Sequence, residues 1–114
     1  MLQDFRLKVF MMVAQEKSFT KAARKLEISQ PAVSQNINEL EKGIGSPLFE
    51  RGRGEVTLTE KGQTFRLFAS RILKDYEDLN NVFDDYEAFA DIMKTAHTVS
   101  ESPYSDLVRD ILYR

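Results

Sequence analysis

Residues 18–41 read SFTKAARKLEISQPAVSQNINELE, and this stretch decides the fold because it holds two helical patterns separated by a short turn. Ser18 precedes the first pattern and Ser29 precedes the second, and serine is favoured at the N-cap of a helix. Pro31 falls in the first turn of the second helix, where its missing N–H is tolerated. With the three-residue turn 27–29 between them, the two helices are predicted to form a helix-turn-helix.

Each of these predicted helices has an apolar face and a polar face. By helical spacing, the inward-facing residues are Ala22, Ala23, Leu26, Val33, Ile37, Leu40 and Ile44. The outer face of the second helix holds Gln30, Ala32, Ser34, Gln35, Asn38 and Lys42. Glutamine and asparagine amides can form paired hydrogen bonds with adenine, and serine can bond a base edge or a phosphate. The outer face therefore fits the major groove of DNA, with an ordinary solvated helix surface as the alternative.

A further helix and a hairpin are predicted on either side of this motif. Upstream, apolar residues at helical spacing predict a first helix over residues 2–16. They are Phe5, Val9, Met12 and Val13. Downstream, residues 48–50 and 56–58 are predicted to pair as a two-stranded hairpin, called the wing. Its loop carries Arg51 and Arg53, which suit phosphate or a narrow minor groove, with a plain hairpin turn as the alternative.

A long helix is predicted over residues 59–94, because Thr59 can cap it and Gly62 is the one helix breaker within it. Apolar residues recur in it at alternating spacings of four and three, as in a coiled coil. This seam comprises Phe65, Ala69, Ile72, Tyr76, Leu79, Phe83, Tyr86, Ala90 and Met93. It has two interpretations: an interface between two copies, or a strip that packs against the chain's own head and terminal helix.

The predicted organisation has three parts: a winged helix-turn-helix at 1–58, the long helix at 59–94, and residues 95–114. The last part is predicted to be a polar turn followed by a short amphipathic helix that begins at Ser102 and Pro103. The fold class is thus mainly α, with three helices and a two-stranded wing followed by a long dimerisation helix and a short C-terminal helix.

Composition excludes several classes of function. The chain has no cysteine, which removes disulfides and thiolate ligands, and its single histidine, His97, is expected to be solvated. No nucleophile elbow, phosphate loop or paired histidines occur, so we expect no enzyme, no cofactor and no metal site. No apolar run is long enough to cross a membrane and no signal peptide is visible, which predicts a cytoplasmic protein without a membrane partner.

Charge is divided unevenly along the chain. Residues 1–74 carry 13 Lys or Arg against 8 Asp or Glu, a net +5, whereas residues 75–114 carry 3 against 10, a net −7. The basic part is the candidate for binding a polyanion, and phosphates would repel the acidic part.

The stretch at 18–41, followed by PLFERGRGEVTLTEKG at 47–62, resembles the reading head of LysR-type transcriptional regulators, and the match covers residues 1 to about 90. The resemblance implies double-stranded DNA as the partner. It places Gln30, Pro31, Ser34 and Gln35 near base edges and the backbone, with Asn38 one turn further on. It also places Ser18 and Thr20 near phosphates and Arg53 in the adjacent groove.

Two features depart from the common pattern of this family. Gln35 stands where relatives often have arginine, which puts an inherited guanine preference in doubt. Relatives also continue into an effector-binding domain that residues 95–114 do not begin. The chain is therefore either a short stand-alone relative, which we expect, or a cut sequence, and no small-molecule effector can be inferred. The resemblance further implies that the long helices of two chains pair antiparallel. The predicted function is a homodimeric, sequence-specific transcription regulator, and the alternative is an adaptor that docks onto or heterodimerises with a larger regulator.

Overall fold

The computed structural model describes residues 4–94, 106, 109 and 110. The described elements are α1 (Phe5–Glu16), α2 (Phe19–Leu26), α3 (Gln30–Ile44), β1 (Phe49–Arg51), β2 (Val56–Leu58), α4 (Glu60–Asp84) and α5 (Tyr86–Lys94). They belong to two compact units, which divide within α4. We call the described residues 4–73 the head and those from 74 onward the distal unit. The mainly helical winged helix-turn-helix predicted from the sequence is confirmed.

Serine caps set where α2 and α3 begin, as predicted. Ser18 Oγ accepts the backbone N–H of Lys21 at 3.1 Å, and Ser29 Oγ accepts that of Ala32 at 3.2 Å. These bonds satisfy donors that the first turn of a helix leaves without a partner. Between the helices, Glu27 ends α2 in the left-handed conformation at φ 57°. The short turn follows from these local interactions.

The core of the head is centred on Phe10. Its ring lies 5.1 Å from the ring of Phe49 and 4.6 Å from that of Phe65, measured between centroids. The other buried apolar residues of the head are Leu7, Val9, Val13, Ala22, Ala23, Val33, Ile37, Leu48 and Ala69. Side chains of β1 and α4 therefore meet at one aromatic residue of α1.

The predicted apolar faces of α1 and α3 were partly wrong. Phe5 is exposed, whereas Leu7 and Phe10, which the predicted stripe omitted, are buried. Because α1 contacts α2, α3 and β2, its buried face is wider than a single stripe. Ile44 is also exposed, since α3 ends there and Gly45 turns the chain away at φ 82°.

The wing is a two-stranded antiparallel sheet in which Phe49 pairs with Leu58 and Arg51 with Val56. The first strand begins one residue later than predicted, so Arg51 belongs to β1 and the loop is confined to residues 52–55. The reason is that the N–H of Leu48 is bonded to the side chain of Glu41 and Leu48 itself is buried.

The start of α4 is fastened to the segment that precedes the wing. Thr59 donates its N–H to the carbonyl of Leu48 at 3.0 Å and its hydroxyl to the carbonyl of Pro47 at 2.9 Å. The same hydroxyl accepts the N–H of Gly62 at 3.0 Å, which is the predicted cap. These bonds fix α4 against the base of the wing.

Two residues assigned to the dimer seam belong to the head's own core. Ala69 is 1% exposed, and Phe65 packs edge-on against Phe10. Both are used by packing within one chain, which corrects their assignment to an interface between copies.

In the distal unit the long helix is interrupted, which corrects the predicted continuity to Lys94. Asp85 separates α4 from α5, and its carboxylate accepts the N–H of Ala88 at 3.3 Å in the manner of a new N-cap. Lys74 lies 2.6 Å from the nine-tenths buried Asp78, and this hydrogen bond raises the pKa of Lys74.

Of the predicted terminal helix, Asp106, Arg109 and Asp110 are helical, and the remainder, like His97, lies outside the described residues. None of the described helices combines the length and the apolar character needed to cross a membrane. The described residues also contain no group of three His, Asp or Glu side chains suited to hold a metal ion.

Candidate nucleic-acid interface

The first turns of α2 and α3 meet at the surface of the head. Thr20, in the first turn of α2, donates its hydroxyl to Oε1 of Gln30, the first residue of α3, at 3.3 Å. Both side chains are exposed. The motif therefore brings together two residues that lie ten positions apart in the sequence and that were both predicted to face DNA.

The polar face of α3 is open to solvent. Gln30, Pro31, Gln35 and Asn38 are exposed, and Ser34 is half-buried. Val33 and Ile37 of the same helix are fully buried and fix its orientation. Because side chains three or four residues apart share a helix face, Pro31 and Ser34 connect the exposed amides of Gln30, Gln35 and Asn38 into one strip. No described element of the head covers it.

The amide of Asn36 is not part of that strip. Its Nδ2 donates to the backbone carbonyl of Ala32 at 2.8 Å, so the side chain lies along its own helix. The side chain of Asn36 is therefore engaged within α3, whereas Gln35 and Asn38 are exposed.

The two arginines of the wing occupy different environments. Arg53 lies exposed in the loop, and Arg51 lies in β1 with its guanidinium 4.6 Å from the centroid of the Phe19 ring. Phe19 in turn packs edge-on against Phe49 at 6.2 Å. Within residues 4–94 neither arginine forms an ion pair, so both charges remain available to an anion. Arg51 is held against α2, whereas Arg53 is exposed in the loop.

Two residues that sequence reasoning missed position the start of the wing, Glu41 relative to α3 and Gly62 relative to α4. The carboxylate of Glu41 accepts the N–H groups of both Leu48 and Phe49. Gly62 approaches the backbone carbonyl of Leu48 so closely that a Cβ atom would overlap it. For Gly62, the available signal in the sequence was a lone glycine early in a helical pattern. No sequence signal marks Glu41, because glutamate is common on the polar side of a helix.

The remaining seam residues are divided between exposed and half-buried positions. Phe83 and Tyr86 are 64% and 55% exposed, and their rings are stacked with centroids 5.6 Å apart. Ile72 and Leu79 are also exposed, whereas Tyr76 and Ala90 are half-buried. The described residues thus present large apolar side chains to solvent at helical spacing.

The head also carries an apolar groove of about 370 Å³ between the end of α3 and the start of α4. It is lined by Ile44, Leu48, Lys61, Thr64, Phe65 and Phe68. Ile44 and Phe68 are exposed at this groove. Exposed apolar surface of this kind is typical of interaction sites.

Comparison with known families identifies the head. A family model described as "Bacterial regulatory helix-turn-helix protein, lysR family" matches residues 5–63, just over half of the chain. The chain therefore belongs to the lysR family of bacterial regulatory helix-turn-helix proteins, as the resemblance in the sequence indicated.

Curated relatives agree with this assignment. The HTH-type transcriptional regulator CfxR of Cupriavidus necator is 45% identical over 73 residues, which are 64% of this chain and 23% of that protein. The HTH-type transcriptional regulator IlvY of Escherichia coli is 38% identical over 78 residues, 68% of this chain and 26% of that protein. The chain spans about a quarter of the length of these relatives.

Solved structures show the same architecture. The crystal structure of the BenM_DBD/catB site 1 DNA complex superposes with a TM-score of 0.71 at 35% identity, covering 75% of this chain and 97% of that chain. A full-length BenM mutant gives a TM-score of 0.68 at 36% identity, covering 73% of this chain and 27% of that one. The similarity thus extends beyond the head into the residues of the long helix.

Proposed function

We propose that this chain is a sequence-specific DNA-binding transcription regulator. The observation that carries the proposal is the exposed polar strip of α3, where Gln30, Gln35 and Asn38 face solvent while Val33 and Ile37 are buried. An α-helix fits the major groove, and amide side chains there distinguish bases by their donors and acceptors. A similar head occurs in a DNA complex, that of BenM_DBD.

The wing supplies the second contact in this proposal. Arg53 in the loop and Arg51 over the Phe19 ring are cations without an ion-pair partner among residues 4–94. Beside a recognition helix, such side chains bind backbone phosphates or enter a narrow minor groove. In the same proposal Ser18, Thr20, Pro31 and Ser34 line the approach to the duplex, as the family resemblance implies.

The test is a selection of bound fragments from a random or genomic DNA library, followed by footprinting with the full chain. We expect a saturable, sequence-dependent footprint. Gln35→Ala is expected to weaken specific binding by about 1–3 kcal/mol if the amide reaches a base edge. Gln15→Ala removes an exposed glutamine from α1 and is the matched control. Absence of any preferred sequence would refute the proposal.

We further propose that the regulator is a homodimer joined through the long helix. The support is the exposed apolar set Leu79, Phe83 and Tyr86 of the distal unit, which falls at the coiled-coil spacing of the seam. Ile72 of the head is also exposed and has the same spacing in the sequence. Half-buried Tyr76 and Ala90 belong to the same proposed surface, and Phe65 and Ala69 do not. Two heads held in this way would meet successive turns of a pseudo-palindromic site, ~34 Å apart.

The adaptor alternative gains no support from the comparisons, because the matched relatives CfxR and IlvY are described as transcriptional regulators. It makes a different prediction in the same experiment, since an adaptor needs no preferred DNA sequence.

A further inference from the structure

Thr20 uses its hydroxyl differently from the two serines beside it. Ser18 Oγ and Ser29 Oγ each accept a backbone N–H from the first turn of the helix that they cap. Thr20 Oγ1 instead reaches across the turn and donates to Oε1 of Gln30. Of these three hydroxyls, it is the one that connects α2 to a side chain of α3.

This bond decides which end of the Gln30 amide faces outward. A side-chain amide has an oxygen that accepts hydrogen bonds and a nitrogen that carries two donors. Because Thr20 holds the oxygen on the side of α2, the Nε2 end is the one presented to a ligand. In the part of the chain that the structure describes, no hydrogen bond engages Nε2. The exposed Gln30 therefore offers donors at the N-terminus of the recognition helix.

The two purines differ in what they offer to such a donor. In the major groove guanine presents two acceptors, N7 and O6, whereas adenine presents one acceptor, N7, and the N6 amino group as a donor. A glutamine that recognises adenine uses its nitrogen and its oxygen together. The oxygen can accept two hydrogen bonds, and the one from Thr20 holds it on the side of α2. Thr20 therefore opposes the adenine arrangement through the orientation of the amide.

We propose that Thr20 is a positioning residue that restricts Gln30 to reading hydrogen-bond acceptors, so that guanine is preferred over adenine at the base pair that Gln30 meets. The inference rests on the proposed function, because it requires that α3 lies in the major groove. It adds to the proposed function a preference for guanine at one base pair. It also names a residue of α2, Thr20, that sets this preference.

The experiment compares binding-site preferences of the full chain with those of Thr20→Val, Thr20→Ser and Gln30→Ala. The base pair that Gln30 meets is identified as the one at which the Gln30→Ala variant loses the preference of the wild-type chain. At that pair we expect the wild-type chain to favour guanine by about tenfold, the discrimination given by one good pair of hydrogen bonds to a base. Thr20→Val, which keeps the shape but removes the donor, is expected to reduce this preference to about threefold or less. Thr20→Ser restores the hydroxyl and is expected to retain the preference.

The matched control is Thr64→Val, which removes an exposed hydroxyl that donates to the carbonyl of Glu60 within α4. It is expected to leave base preference unchanged. A second readout replaces the selected guanine with 7-deazaguanine, which lacks the N7 acceptor and is expected to weaken binding of the wild-type chain more than binding of Gln30→Ala.

Three results would overturn the inference. The first is an adenine preference at the Gln30 base pair. The second is a Thr20→Val variant that keeps the guanine preference. The third is a Thr20→Val variant that weakens binding to every sequence equally and does so also when Gln30 is replaced by alanine. Such a result would make Thr20 a direct phosphate contact. Failure of the proposed function is distinguishable from all three, because the wild-type chain would then select no sequence at all.

Discussion

The carboxylate of Glu41 accepts the backbone N–H of Leu48 at 2.7 Å and that of Phe49 at 3.3 Å. Glu41 lies in the last turn of α3, and the two N–H groups lie at the start of the wing. A single side chain therefore joins α3 to the element that carries Arg51 and Arg53.

Glu41→Ala is expected to destabilise the head by about 1–3 kcal/mol, because it leaves two partly buried N–H groups without their acceptor. The free energy of unfolding, measured by urea denaturation, checks this. Glu39→Ala is the matched control, since Glu39 is exposed on the same helix, and its effect is expected to stay within about 0.5 kcal/mol. Equal stability of the two variants would show that the bond contributes nothing.

Gly62→Ala and Gly43→Ala are expected to change stability in opposite directions. Both glycines lie in helices, where alanine is ordinarily more stable by about 0.5–1 kcal/mol. At Gly43 an added Cβ meets nothing within 4 Å, and so the variant is expected to gain that amount. At Gly62 it meets the carbonyl of Leu48, and we expect a net loss of about 1–3 kcal/mol. Thermal denaturation of both variants is the measurement, and stabilisation by Gly62→Ala would contradict the close approach.

Arg53→Ala is expected to weaken DNA binding and to lower the slope of log K against log salt by about 1, because one phosphate contact is lost. The measurement is a titration of the selected site at several salt concentrations. Arg71→Ala removes an exposed arginine from α4 and is the control, with the slope expected to remain that of the wild-type chain. An unchanged slope in Arg53→Ala would remove this residue from the phosphate contacts.

Leu79→Asp is expected to convert the dimer into monomers, because it would bury a charge without a partner in an apolar interface. Sedimentation velocity measures the change. Asn81→Asp adds the same charge at an exposed position two residues away and is expected to remain dimeric. If the Leu79 variant is still a dimer, the interface lies on another surface.

The sequence by itself determined the local structure of the head. The serine caps, the turn between α2 and α3 and the cap of α4 at Thr59 follow from interactions among residues close in the chain. The apolar side of α3, with Val33 and Ile37, follows from helical spacing. Such interactions depend on residue type and spacing, and so they can be read without coordinates. The family and the exposed face of α3 could be predicted from the sequence for the same reason.

Tertiary packing decided which apolar residues of the seam belong to the core, and spacing alone could not predict this. The heptad pattern treats Phe65, Ala69 and Leu79 alike, but Phe65 and Ala69 are used by the core around Phe10, while Leu79 remains exposed. The bonds from Glu41 to Leu48 and from Thr20 to Gln30 likewise join residues seven and ten positions apart. Periodicity reports which side of a helix is apolar, but which neighbour covers that side depends on how the elements meet in space.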